Sequence, residues 1–192
     1  TAERAINVSG AEDVTIKNLN IVASGERAIN VIQNSNNVTI ENVTAKAANY
    51  TVNVAGSAPN ANVVINNSDL TGLNTVNIGA ENTIVEITNT KLTSDDKNEN
   101  ESYDAISINS NGTNSRVTVN GGEIVLNGDS VAAGVSSDYS VVTFNGTTGA
   151  TNDDVVYNNF VIVYGDYAYT FTNFDAALDR AIKDNKEVTV AR

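Results

Sequence analysis

The six residues Glu3-Arg4-Ala5-Ile6-Asn7-Val8 return unchanged as Glu26-Arg27-Ala28-Ile29-Asn30-Val31, a shift of 23 residues, and this recurrence constrains the fold more than any other feature. The element continues as Thr51-Val52-Asn53-Val54, Thr75-Val76-Asn77-Ile78 and Ala105-Ile106-Ser107-Ile108, with a degenerate sixth copy at Ala132-Ala133-Gly134-Val135. A second element follows each copy: Val14-Thr15-Ile16, Val38-Thr39-Ile40, Val63-Val64-Ile65, Val85-Glu86-Ile87, Val117-Thr118-Val119 and Val142-Thr143-Phe144, spaced by 24, 25, 22, 32 and 25 residues. Both elements alternate apolar and polar residues and are rich in β-branched side chains, the pattern of short strands with one buried face. Ile6, Val8, Val14 and Ile16 are therefore expected to point inward, and Val14, Val38, Val63, Val85 and Val117 to stack with Ile16, Ile40, Ile65, Ile87 and Val119 as one buried ladder. A single repeat of this length cannot close a core, so successive coils must stack and pair in parallel. Leucine-rich repeats have a similar period, but their Leu-x-x-Leu-x-Leu framework is absent. The expected fold is all-β, a β-solenoid of about six coils.

Two residues after the second element stand Asn18, Asn42, Asn67 and Asn89, and in the last two coils Gly121 and Gly146. Asparagine tolerates left-handed backbone and glycine adopts it freely, so this column marks a turn. Stacked amides can bond from coil to coil, and the four asparagines are expected to form an internal ladder. Here the chain resembles the pectate-lyase-like superfamily, in which a Val-x-Ile-x-Asn-Leu-x-Ile run, present as Val14-Thr15-Ile16-Lys17-Asn18-Leu19-Asn20-Ile21, turns between two sheets. The resemblance covers about residues 3 to 150 and implies a right-handed parallel β-helix.

Composition narrows the class of partner. Eleven Lys and Arg face 23 Asp and Glu, a net charge of −12, so a phosphate backbone is repelled and nucleic acid is not expected as a partner. Without cysteine there is no disulfide framework, thiolate metal site or cysteine nucleophile. No apolar run approaches the roughly 18 residues of a membrane helix, so membrane insertion is not expected. Residues 1–8 lack the basic start and apolar core of a signal peptide. The sequence reads as an interior piece of a mature protein flanked by further β-helix modules. Its Asn-, Thr-, Val- and Ser-rich composition suits an extracellular bacterial β protein, and the expected location is the cell surface.

The longest spacing holds Thr93-Ser94-Asp95-Asp96-Lys97-Asn98-Glu99-Asn100-Glu101-Ser102-Tyr103-Asp104, read as a polar loop between coils. Its five carboxylates lack the ordered spacing of a dedicated calcium loop, which favours a solvated acidic loop. The period breaks near residue 160, dividing coils over 1–159 from a different segment over 160–192. There Phe160 to Tyr164 and Tyr167 to Phe171 flank Gly165-Asp166 as a hairpin. A short amphipathic helix is expected next, capped by Thr172 or Asn173, with Asp175 in its first turn and Phe174, Ala177, Leu178, Ala181 and Ile182 as its apolar stripe, before a strand over residues 187–191. This string resembles the segment that opens β-helix modules in large Gram-positive surface proteins. It either caps this stack or opens another.

Superfamily relatives include polysaccharide lyases and glycoside hydrolases, which the resemblance brings into consideration. Polygalacturonase-like hydrolases use clustered aspartates with Gly-His-Gly and Arg-x-Lys; this chain has no histidine, and its Asp-Asp pairs at Asp95 and Asp153 lie in expected loops. Lyase-type elimination needs a base beside calcium-binding carboxylates on an outer strand face. The outward rows read as Asn7, Asn30, Asn53, Asn77 and Ser107, and as Thr15, Thr39, Val64, Glu86, Thr118 and Thr143. No catalytic, cofactor-binding or metal-ligating residue is nominated and no cofactor is implied. Amide and hydroxyl rows suit a sugar chain, although Trp is absent and the seven Tyr lie mainly beyond residue 139. The favoured role is a non-catalytic surface module, an adhesin-like binder or a stalk, whose partners would be glycans or surface proteins. A lyase or hydrolase fragment is the alternative.

Overall fold

The computed structural model describes residues 3–95, 103–158, 160–164, 167–171, 179, 181–183, 188 and 189. Alternating, β-branched segments become strands, and left-handed residues between them turn the chain through each corner. The first coil is β1 (Arg4–Ser9), β2 (Glu12–Lys17) and β3 (Asn20–Val22); the second is β4 (Arg27–Ile32), β5 (Asn36–Glu41) and β6 (Thr44–Lys46). The third is β7 (Tyr50–Val54), β8 (Asn62–Asn66) and β9 (Asp69–Gly72), and the fourth β10 (Asn74–Ile78), β11 (Ile84–Thr88) and β12 (Lys91–Asp95). The fifth is β13 (Asp104–Ile108), β14 (Arg116–Asn120) and β15 (Glu123–Asn127), and the sixth begins β16 (Val131–Val135) and β17 (Val141–Asn145). A 3-10 turn at Asn152–Asp154 leads to β18 (Val155–Tyr157), β19 (Phe160–Tyr164), β20 (Tyr167–Phe171) and β21 (Val188–Thr189).

Each of β1 to β18 pairs in parallel with its counterpart one coil away, giving three sheets that wrap a β-solenoid of about six turns. The first sheet runs β1-β4-β7-β10-β13-β16-β18, the second β2-β5-β8-β11-β14-β17 and the third β3-β6-β9-β12-β15. In the second sheet Val14, Val38, Val63, Val85 and Val117 align in one column, and Ile16, Ile40, Ile65, Ile87 and Val119 in another. Apart from half-buried Val14, all of these side chains are buried. Ile6 packs half-buried against the same core, and Val8 is buried.

Two expectations about asparagine are reversed. Asn18, Asn42, Asn67 and Asn89 do sit in left-handed backbone, with φ of +56°, +51°, +50° and +48°, and Gly121 and Gly146 continue the column at +66° and +61°. Their side chains, however, are exposed; Asn42 Nδ2 donates to Asn18 Oδ1 over 2.7 Å in the open. The left-handed residue breaks the inward-outward alternation, so a position two after an inward isoleucine swings outward. The buried ladder is instead the row expected to face solvent. Asn30 Nδ2 donates to Asn7 Oδ1 over 3.0 Å, Asn53 Nδ2 to Asn30 Oδ1 over 2.7 Å and Asn77 Nδ2 to Asn53 Oδ1 over 2.7 Å. Asn30, Asn53 and Asn77 are 0%, 2% and 6% exposed, because both faces of β4, β7 and β10 are covered. Thr51 and Thr75 on the same strands donate to the carbonyls of Thr71 and Thr93.

The amide row passes to Ser107 and then to Gly134, whose missing side chain leaves room for the Asp104 carboxyl group. Burial pushes the Asp104 pKa above its ordinary 3.8, while a hydrogen bond from Ser107 pulls it down. A raised folded-state pKa means that the protonated form holds full stability below the ordinary range, and that stability is lost as pH rises through the shifted value. Asp104→Asn keeps an acceptor for Ser107 and removes the charge, so it should raise the melting temperature at pH 7 and leave it nearly unchanged at pH 3. Equal effects at both pH values would contradict the assignment.

The insertion between coils is narrower than the sequence suggested: Thr93, Ser94 and Asp95 complete β12, Asp104 opens β13, and residues 96–102 lie outside the described set. Asp153 lies in the 3-10 turn rather than a loop. β18 adds a seventh strand to the first sheet, beyond the six copies counted. Tyr157 on this strand is pushed up to about 12 by burial. β19 and β20 form the expected antiparallel pair, with β21 on the other side of β19 and β20 lying against β17. The hairpin turn at Gly165-Asp166, the cap at Thr172 or Asn173, Asp175, Phe174, Ala177 and Leu178 lie outside the described residues. Of the proposed helix stripe, Ala181 is buried but Ile182 is 69% exposed, since adjacent helical positions diverge by more than a quarter turn.

Candidate functional site

The outer face of the second sheet carries one continuous column. Immediately before the inward valines stand Asp13, Asn37, Asn62, Ile84, Arg116 and Val141; the last four align by the parallel register, and a side-chain hydrogen bond joins Asn37 to Asp13. Asp13, Asn37, Asn62 and Arg116 are exposed there and Ile84 is 49% exposed, whereas Val141 is buried. Coil spacing repeats these positions about every 4.8 Å.

Two shallow depressions lie on this column. On the first three coils Asp13, Asn37 and Asn62, with Thr15, Thr39 and Val64 from the row expected to face outward, border a volume of about 270 Å³. Asn37 Nδ2 donates to Asp13 Oδ1 over 3.1 Å, which ties the Asn37 side chain down, and the backbone N–H of Asn62 donates to Asn36 Oδ1 at 2.8 Å. On the last three coils Asn82, Ile84, Asn114, Arg116, Tyr139 and Val141 border about 300 Å³. Ile84 is 49% exposed, and Asn114 Nδ2 donates to Asn82 Oδ1 over 2.8 Å.

Tyr139 is the unexpected member. It follows Asn82 and Asn114 at the same corner, with φ of +58° after their +55° and +57°. Asparagine tolerates that conformation, whereas an aromatic residue there is a genuine outlier costing of order 1–3 kcal/mol. A strained, half-buried tyrosine thus stands beside an exposed isoleucine, two linked amides and a guanidinium within one depression. That combination suits a ligand with both an apolar face and a rim of hydroxyls. The sequence held a signal for it: Tyr139 lies 25 residues after Asn114, the spacing that separates the Val117 and Val142 elements.

The other candidates are scattered. The row Asn7, Asn30, Asn53 and Asn77 is interior except at Asn7. In the second row Thr15 and Glu86 are exposed, whereas Thr143 is 7% exposed. Asp95 pairs with Lys46 Nζ at 3.0 Å on the third sheet, far in sequence from Asp153 and away from the depressions' lining. Among the described residues no three acidic side chains gather where they could hold a metal ion, and residues 96–102 of the acidic loop lie outside that set. Asp13 is the one carboxylate lining the first depression, and the second has none. Among the described residues no helix is long and apolar enough to cross a membrane. No protein-family model, curated protein or solved structure matches this chain.

Proposed function

We propose that this chain is a non-catalytic module of a bacterial cell-surface protein, of the pectate-lyase-like β-helix kind, that binds carbohydrate on the outer face of its second sheet. The observation that carries this reading is Tyr139, held in left-handed backbone at the end of the Asn82–Asn114 row and beside Ile84 and Arg116. Backbone strain persists where something else depends on the side chain, and the ring is the part of Tyr139 that asparagine lacks. Stacking of a sugar ring on an aromatic face, with amides on its hydroxyls, is the chemistry such a set supplies.

The test is a glycan array followed by titration of any hit. Tyr139→Asn should weaken binding roughly tenfold or more through the lost ring face. The same change should leave stability equal or raise it by roughly 1–2 kcal/mol, because asparagine relieves the left-handed strain. Binding that survives Tyr139→Asn would remove the site from the reading. Silence of the unmodified chain on every glycan would leave a stalk, its acidic, amide-rich surface keeping it soluble and extended.

A further inference from the structure

We propose that Asn127-Gly128 is a site of spontaneous self-modification, at which the chain converts its own asparagine to an aspartyl or isoaspartyl linkage. The Gly128 backbone nitrogen forms a bond to Asn127 Cγ, its proton and the side-chain amide nitrogen leave as ammonia, and water then opens the cyclic imide at either carbonyl. No catalyst or oxidant enters the balance. The step needs a following residue without a side chain in the way, a backbone nitrogen that no hydrogen bond holds, and an asparagine amide free to swing onto it.

The chain contains four Asn-Gly pairs, Asn111-Gly112, Asn120-Gly121, Asn127-Gly128 and Asn145-Gly146, and the structure sorts them. Gly121 N donates to the Asn145 carbonyl over 2.8 Å, Asn120 is paired with Thr88 on one side and Asn145 on the other, and its Oδ1 accepts from Asn145 Nδ2. Gly112 N donates to the Asn109 carbonyl over 2.9 Å, and Gly112 is buried so closely against Ile108 that an added Cβ would stand 2.7 Å from its methyl group. Asn145-Gly146 is intermediate: Gly146 is exposed and its N–H has no partner among the described residues, but Asn145 Nδ2 is held by Asn120 Oδ1 over 3.0 Å.

At Asn127-Gly128 neither reacting group is held. Both residues are exposed, and among the described residues neither the Asn127 amide nor the Gly128 N–H has a hydrogen-bond partner. The cause is topological. The residues that follow β3 and β6, Ala23 and Ala47, donate their N–H groups to the next coil over 2.8 and 3.0 Å, whereas β15 ends the third sheet and no later strand receives Gly128. Asn127 is therefore paired with β12 on one side alone, and Gly128 turns away in left-handed backbone at a φ of +66°. The product carries a charge that the amide lacked. Asn127 faces Asp95 in the register of β12 and β15, and Asp95 already binds Lys46 Nζ at 3.0 Å, so a new carboxylate there repels Asp95 and competes for the ammonium.

The test incubates the intact chain in mildly alkaline buffer, folded and in urea, and scores each Asn-Gly pair by peptide mapping that separates aspartyl from isoaspartyl products. In urea all four pairs should convert at similar rates, because each has glycine next. In the folded chain Asn127 should stay near its urea rate, Asn111 and Asn120 should slow roughly tenfold or more, and Asn145 should fall between. Asn127→Gln should remove the product at this position and leave the thermal melt unchanged. Asn127→Asp should melt below Asn127→Gln, with the gap narrowing as salt is added. Folded-state conversion led by any other pair, or Asn127 slowed as strongly as Asn120, would overturn the proposal; equal melting of the two variants would overturn its coupling to Asp95.

Discussion

Replacing Ile40 by alanine lowers the unfolding free energy by roughly 2–5 kcal/mol, the range for truncating a fully buried aliphatic side chain. Ile40 is 0% exposed and stands between Ile16 and Ile65 in the column that continues to Ile87. The parallel ladders on both sides fix the coil spacing, so the backbone has little freedom to close the cavity. Ile16→Ala, at the open end of the same column and 7% exposed, should cost less because it has a neighbour on one side alone. Urea unfolding of both variants checks the order; a loss below about 1 kcal/mol for Ile40→Ala would mean that the column is looser than its burial indicates.

Asn53→Leu destabilises by a comparable amount through a different mechanism. Leucine shares the branched shape of asparagine, though with bulkier methyl groups, and it leaves Asn30 Oδ1 without its donor and Asn77 Nδ2 without its acceptor. Each orphaned buried group costs roughly 1–3 kcal/mol, so the change should cost roughly 2–6 kcal/mol. Asn42→Gly is the control. It removes an exposed amide from the corner ladder while keeping the left-handed backbone, and it should stay within about 0.5 kcal/mol of the unmodified chain. Thermal and denaturant melts of the pair separate the two asparagine columns, and equal effects would return the buried ladder to the corner.

The same contrast shows what the sequence could and could not disclose. Alternation in Val-Thr-Ile and Ala-Ile-Asn-Val identifies two faces and aligns them from coil to coil, which is why the repeat, the parallel pairing and the core column were legible. Alternation does not reveal whether the second face is covered. In the second sheet it is open, so Thr15 is exposed; in the first it is covered, so Asn30 is not, and the two rows read alike. The corner asparagines misled because the left-handed residue itself cancels the alternation used to place them. β18 was missed because no second element follows Val155 to restore the period. Tyr139 was hidden by identity rather than position: it fills an asparagine column in a coil whose first element, Ala132-Ala133-Gly134-Val135, is already degenerate.

The hydrogen bonds between coils run along the solenoid axis, and each corner passes the chain directly to the next strand of its own coil. Tension applied through the two ends therefore does not shear all three sheets together. It opens one row of bonds at a time and peels coils from an end, as tape leaves a reel. Each coil freed releases about two dozen residues, roughly 80 Å of extended chain. The sheath of bonds still closed behind it carries the next increment of load, so such a module gives way in small steps of one coil each. Its extension under load is therefore metered in coils.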